Sequence, residues 1–310
     1  MKSMSLITML SLLTTFAMAQ PVDIKELINT RIAARNFNFP DSILSNREFQ
    51  QRIIPELEKA NKDILANPHD ICDSYYWALT DLYRQNPEPE IRGKLAELML
   101  YGCLDQSEWL RLNNMHFLVR LARPADFNAQ RLEMLKALIL HPTLHTTPLF
   151  PLVGKLDWPE GERLMRRFFE QGPELLPDDA DRPGGYRASP KWRAAMALAQ
   201  KGDQAALDYL IQKTRQEEDR DVLYSMLFYD FAFIRTRGSI DFLIEYVYSD
   251  LREPVCEDHL SRDDFNFVIS LLRPIIKDLH GVISASGRKK DIIRAWFDQN
   301  RTRYEILPEN

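Results

Sequence analysis

Three short clusters carry side chains that could ligate a metal. Asp178-Asp179-Ala180-Asp181, just before Pro183-Gly184-Gly185, gathers three carboxylates beside a glycine turn, the hard oxygen donors that Ca²⁺ takes. The spacing departs from an EF-hand loop and no Glu follows at its closing position, so a solvated acidic loop is the stronger expectation and Ca²⁺ the weaker. His141 and His145 are four apart, as two ligands on one helix face would be, but Pro142 separates them and no Glu accompanies them. Cys256-Glu257-Asp258-His259 mixes soft and hard donors, yet adjacent side chains diverge and surround one ion poorly. No G-x-S-x-G elbow, Walker loop or dinucleotide fingerprint occurs, so neither a catalytic residue nor an organic cofactor is assigned. Carboxylates are plentiful, but a glycosidase pair is defined by its separation in space, which spacing along the chain does not supply.

The elements that would position any site are helical from end to end. There is no sustained apolar/polar alternation and no Asn-Gly or Asp-Gly hairpin turn. An all-α fold is the expectation. The chain opens with Lys2, an apolar run from Leu6 to Phe16, and Ala17-Met18-Ala19, the three parts of an export signal. Cleavage before Gln20 is expected, leaving a product in the periplasm or outside the cell, with no transmembrane segment, because the run is too short to span a bilayer. The balance of 40 Lys and Arg against 45 Asp and Glu, net −5, without a long basic block, argues against a nucleic-acid partner. Cys72, Cys103 and Cys256 are too few for a stapled scaffold. Cys72 and Cys103 are the best candidates for a pair, although small buried thiols are the stronger reading.

In order, the mature chain reads as an N-terminal helical region over 20–140, a repeat region over 141–302 and an exposed tail at 303–310. The boundary is drawn where residues 141–160 carry four prolines, since proline removes a backbone donor and restrains the residue before it. A segment of about twenty residues, 171–190, then interrupts the helices, longer than most loops in compact domains.

The best-formed unit is Ser189–Gln212. Trp192, Ala195, Leu198 and Ala199 lie on the inner face of a first helix; Gly202-Asp203 ends it and caps the next; Ala206, Leu207, Leu210 and Ile211 line the second. Gly238-Ser239 reads as the same stop and cap 36 residues on, placing Phe242, Leu243, Tyr246 and Val247 at equivalent positions. With Arg193-Ala194-Ala195, Leu198-Ala199, Gly202-Asp203, Ala206-Leu207 and Leu210-Ile211, this stretch resembles the HEAT-like repeat family, best over residues 190–249. That resemblance implies an α-solenoid, a superhelix of antiparallel helix pairs that generally holds a protein partner.

The expected function is therefore an exported, non-enzymatic scaffold or adaptor for a protein partner. Its candidate contacts are Tyr186, Arg187, Trp192, Tyr209 and Tyr229, on the second halves of the repeats and the rim formed by 171–189. The alternative is an enzyme, or a small-ligand or glycan binder, with a site between the N-terminal helices and the repeats; a third reading is a structural part of an envelope assembly.

Overall fold

Several helices begin with proline in their first turn, at Pro89, Pro159 and Pro190, where its fixed φ suits a helix and its missing N–H costs nothing. Others begin with an Asx cap: the Asn128 side chain accepts from Arg131 N–H, and Asp219 from Asp221 and Val222 N–H. In the computed structural model, which describes residues 23–33, 39, 41–44, 46–66, 73–104, 108–142, 144–174, 184–248, 264–287 and 289–307, the described regular structure is helical apart from one isolated antiparallel bridge, Ile276 to Ile306. The fold is all-α. The export segment, Cys72 and Cys256 lie outside the described residues.

The chain divides into two compact units at Phe117/Leu118. The first contains α1 (Ile24–Ala33), α2 (Asp41–Leu44), α3 (Arg47–Ala66), α4 (Asp73–Gln85), α5 (Pro89–Gly102) and most of α6 (Glu108–Leu121). Phe49, Ile53 and Leu57 recur every four residues along α3 and pack into one core with Tyr75, Leu79 and Leu82 of α4 and Leu95 and Met99 of α5. Tyr75 donates its hydroxyl to the Leu57 carbonyl at 3.2 Å. Gly102 lets α5 approach its neighbours closely, since a Cβ there would lie 2.7 Å from the Tyr76 ring and 2.6 Å from the Asn114 amide. Cys103 is a free, fully buried thiol donating to the Met99 carbonyl. Burial pushes it far above the ordinary thiol range, which leaves it inert.

The second unit continues through α7 (Ala129–Ile139), α8 (Phe150–Lys155), α9 (Pro159–Gln171), α10 (Pro190–Gln200) and α11 (Gln204–Arg215). A helical stretch follows in three parts: α12 (Arg220–Ser225), a π-turn at Met226–Phe231, and α13 (Ala232–Ile234). Then come α14 (Arg237–Glu245), α15 (Asp264–Leu272), α16 (Leu279–Ser286) and α17 (Lys290–Asn300). The proline-rich stretch belongs inside this unit. Leu149, Phe150, Leu152, Val153, Leu156 and Trp158 are all buried there, so apolar burial outweighs the local proline signal and the division falls earlier than residue 141.

Helix α10 is the hub. Trp192 and every residue from Ala194 to Ala199 are buried, more than the single inner face expected, because α8, α9, α11 and α13 all pack on it. Its alanines permit close approach, and Gly154 of α8 sits where a Cβ would meet the Ala197 carbonyl at 2.7 Å. The turn to α11 is built as expected: Gly202 takes φ +87° and Asp203 accepts from Ala206 N–H at 2.8 Å.

Asp203 also pairs with Arg166 of α9 at 2.5 Å. Burial alone pushes its carboxyl up, but Arg166 and the Ala206 and Ala205 N–H groups outweigh it and hold the group below the ordinary aspartate value. A carboxyl depressed in the folded state contributes stability above its unfolded value, and that contribution is lost as pH falls through the folded one. Asp203→Ala is expected to cost about 1–2 kcal/mol at neutral pH, and Asp203→Asn, an equally good cap without the ion pair, less. The gap between Asp203→Ala and wild type should narrow in acid. Thermal unfolding at both pH values measures this, and a gap independent of pH would overturn the electrostatic part.

The second helix pair is set differently from the sequence expectation. Gly238 and Ser239 lie inside α14 and do not break it. The stop is Arg235, at φ +58°, and Thr236 is the capping position. Both stand 33 residues after Gly202 and Asp203, so the stop and cap positions of the two helix pairs are offset by 33 residues, not 36. On that register Ala206, Leu207 and Leu210 correspond to Ser239, Ile240 and Leu243, all six of them buried. Gly238 serves packing instead, since a Cβ there would lie 2.5 Å from Leu207 Cδ2 of α11.

Of the expected exposed tail, residues 303–307 are described, and they form a clasp. Tyr304 is buried and donates to Asp241 at 2.7 Å. Arg237 lies over its ring, 3.5 Å from the centroid, and donates to the Tyr304 carbonyl. Beside the Ile276–Ile306 bridge, Lys277 N–H donates to Glu305 and Leu307 N–H to Ile275. Apolar and aromatic burial holds the end of the chain against the body.

Candidate functional site

Four of the five candidate partner contacts converge on one buried cluster. Gly184, at φ +67°, turns the backbone over Val222 so closely that a Cβ would lie 2.5 Å from Val222 Cγ1, and Gly185–Ala188 forms a 3₁₀ turn. Ser189 then caps α10, accepting from Trp192 N–H at 3.1 Å. This directs Tyr186 and Arg187 onto α12 and the π-turn. Arg187 donates to Asp230 Oδ2 at 2.9 Å, to Ser225 Oγ at 2.8 Å and to the Ser225 carbonyl at 3.3 Å. The Trp192 indole N–H donates to the same Asp230 oxygen at 3.1 Å.

Asp230 is wholly buried, as is Trp192. Arg193 approaches the other carboxylate oxygen, Oδ1, at 3.8 Å, and Oδ1 accepts no hydrogen bond. Burial pushes the Arg193 guanidinium below the ordinary arginine value, opposed by Asp230. A carboxylate closed to solvent and ion-paired in this way holds neighbouring elements together.

Around this centre the rings interlock. Tyr186 meets Trp192 edge-on with centroids 5.4 Å apart, and Tyr209 lies 6.3 Å from Trp192 and 5.5 Å from Phe169. Tyr186 donates to Glu217 at 2.7 Å; burial and that carboxylate push its phenol well up. Burial, with Glu174 adding, pushes the Tyr209 phenol up to about 12. Trp192 is therefore a core residue and presents nothing to a partner, while Tyr186, Arg187 and Tyr209 are half-buried parts of the same structure.

Tyr229 alone of the five stands out, 52 % exposed. It belongs to the π-turn, where one extra residue per turn re-aims the side chains: Asp230 and Phe231 go inward, Phe228 and Tyr229 outward. The two outward rings meet edge-on at 4.7 Å. Arg120 lies 6.0 Å from the Tyr229 centroid, and the Lys155 ammonium sits 4.8 Å over the Phe233 ring while donating to the Arg120 carbonyl. The outcome is a face of rings interleaved with cations.

Asp230 escaped the sequence reading. Its signal is a lone acid within the otherwise uncharged M-L-F-Y-D-F-A-F-I run, with Arg187 and Arg193 upstream to neutralise it. Of the candidate ligands, Asp178, Asp179 and Asp181 and the Cys256–His259 stretch lie outside the described residues. Among the described residues no group of three His, Cys, Asp or Glu side chains is placed to hold a metal ion, and no helix is long and apolar enough to cross a membrane. Comparison with protein-family models, with curated proteins and with solved structures finds no match for this chain.

Proposed function

We propose that this chain is an exported, non-enzymatic scaffold that holds a protein partner. Its helix pairs α10–α11 and α12–α14 would be two units of a short HEAT-like solenoid, and the Phe228–Tyr229 face the docking surface. The observation that carries the reading is this pair of exposed rings on a π-turn whose inner side is fixed by Asp230. A rigidly presented aromatic pair gives contact area at little entropic cost, which is what interface anchors supply. The 33-residue spacing of stop and cap supports the repeat reading, and the segment from Lys2 to Ala19 supports export.

The test is capture of partners from an envelope extract by the mature chain, followed by affinity measurement on the isolated partner. Phe228→Ala/Tyr229→Ala removes only exposed rings and should leave the melting temperature near wild type. Interface aromatics are worth about 1–2 kcal/mol each or more, so the double variant should bind at least about tenfold more weakly. Unchanged affinity for every captured protein would remove this face from consideration.

A further inference from the structure

The charge around the exposed rings narrows the partner's chemistry. Arg120 and Lys155 flank Tyr229 and Phe233. Lys201, the residue after α10, donates its ammonium to the carbonyl of Leu156, the residue after Lys155. Its neighbour Gln200 donates to the Phe233 carbonyl at 3.4 Å. Two cations therefore lie against the rings of Tyr229 and Phe233, with Lys201 beside Lys155, in a chain whose net charge is −5, and Asp230, the acid within the π-turn, is buried and committed to Arg187. Asp157, at the end of α8, is an exposed carboxylate close by in sequence.

Resting on the docking reading above, we propose that this face takes an acidic protein segment: Asp or Glu side chains meeting Arg120, Lys155 and Lys201, with an apolar or aromatic side chain set against Phe228 and Tyr229. Cations at the rim of an aromatic patch raise the association rate of a complementary partner and reject like-charged ones. Arg and aromatic residues are also the types enriched at interface cores. A single-stranded nucleic acid uses rings and cations too, but it gains its affinity from neutralising many phosphates in succession, and the acidic balance of this chain opposes that.

The probe is a display library of random dodecapeptides selected on the mature full-length chain, with the recovered sequence then measured by fluorescence anisotropy. Selected peptides should be rich in Asp and Glu beside an apolar residue, and their affinity should fall as salt rises. Arg120→Glu/Lys155→Glu should weaken binding at least about tenfold and Arg120→Gln/Lys155→Gln by a smaller factor, with melting temperatures checked for each. Peptides without acidic enrichment, bound equally by the charge variants but lost with Phe228→Ala/Tyr229→Ala, would overturn the acidic partner and leave the docking face standing. Selection of nothing, or of peptides indifferent to both sets of variants, would overturn both. Tighter binding of oligo-dT, lost with the same charge variants, would replace the peptide with a nucleic acid.

Discussion

Asp230→Ala is expected to lower the unfolding free energy by about 3–5 kcal/mol, the cost of removing one partner from a buried ion pair. The carboxylate neutralises Arg187 at 2.9 Å, faces Arg193 at 3.8 Å and accepts the Trp192 indole proton. Without it two largely buried guanidiniums and a fully buried indole N–H lose their counter-charge and acceptor. Most of the loss is the desolvation of what is left behind, not the worth of the pair itself. Asp230→Asn keeps the volume and one acceptor and should fall between the alanine variant and wild type. Denaturant unfolding followed by far-UV circular dichroism measures both. A loss below about 1 kcal/mol for the alanine variant would mean that water enters the cluster freely.

Trp192→Ala should cost a similar amount, about 3–5 kcal/mol, for a different reason. Trp192 is among the largest fully buried side chains and fills the space between Tyr186 and Tyr209. Its removal leaves a cavity at the N-terminal end of the hub helix, between the Tyr186 and Tyr209 rings. Trp192→Phe separates packing from hydrogen bonding: it keeps most of the ring and loses only the N–H to Asp230, at about 1–2 kcal/mol. Combined with Asp230→Ala in a double-mutant cycle, Trp192→Phe should show a coupling energy of about 0.5–3 kcal/mol, as expected for residues in contact. Strict additivity would show that the indole–carboxylate contact contributes nothing, whatever its distance.

The two helix pairs differ in how much of them is legible. For α10 and α11 every boundary signal is local: Ser189 and Asp203 cap with their own side chains and Gly202 supplies the left-handed residue. Residue type and conformation agree, so the pattern reads correctly. In the next pair the left-handed residue is Arg235, a type that rarely takes positive φ and so sends no signal. The Gly238-Ser239 dipeptide, which imitates a stop and cap, is in the helix because Leu207 needs the missing Cβ. A three-residue error in register follows from reading composition where packing decides.

The site was half legible for the same reason. Tyr186, Arg187, Trp192 and Tyr209, expected as partner contacts, lie together in one cluster, but their direction depends on Asp230, which turns inward where the helix widens into a π-turn between Met226 and Phe231. Helical periodicity at 3.6 residues per turn cannot anticipate that extra residue. Phe228 and Tyr229, by contrast, are exposed by it.

The clasp at the chain end has a mechanical meaning. A last helix with a loose tail normally opens first, because a terminus that is not tied down has few contacts to lose. Here residues 304–307 run past α17 and fasten to Asp241, Arg237 and the Ile275–Lys277 turn. A pull applied at Leu307 would load the buried Tyr304 ring and the start of α14 before it could peel α17 away. Residues 304–307 thus act as a buckle across α14 and the Ile275–Lys277 turn.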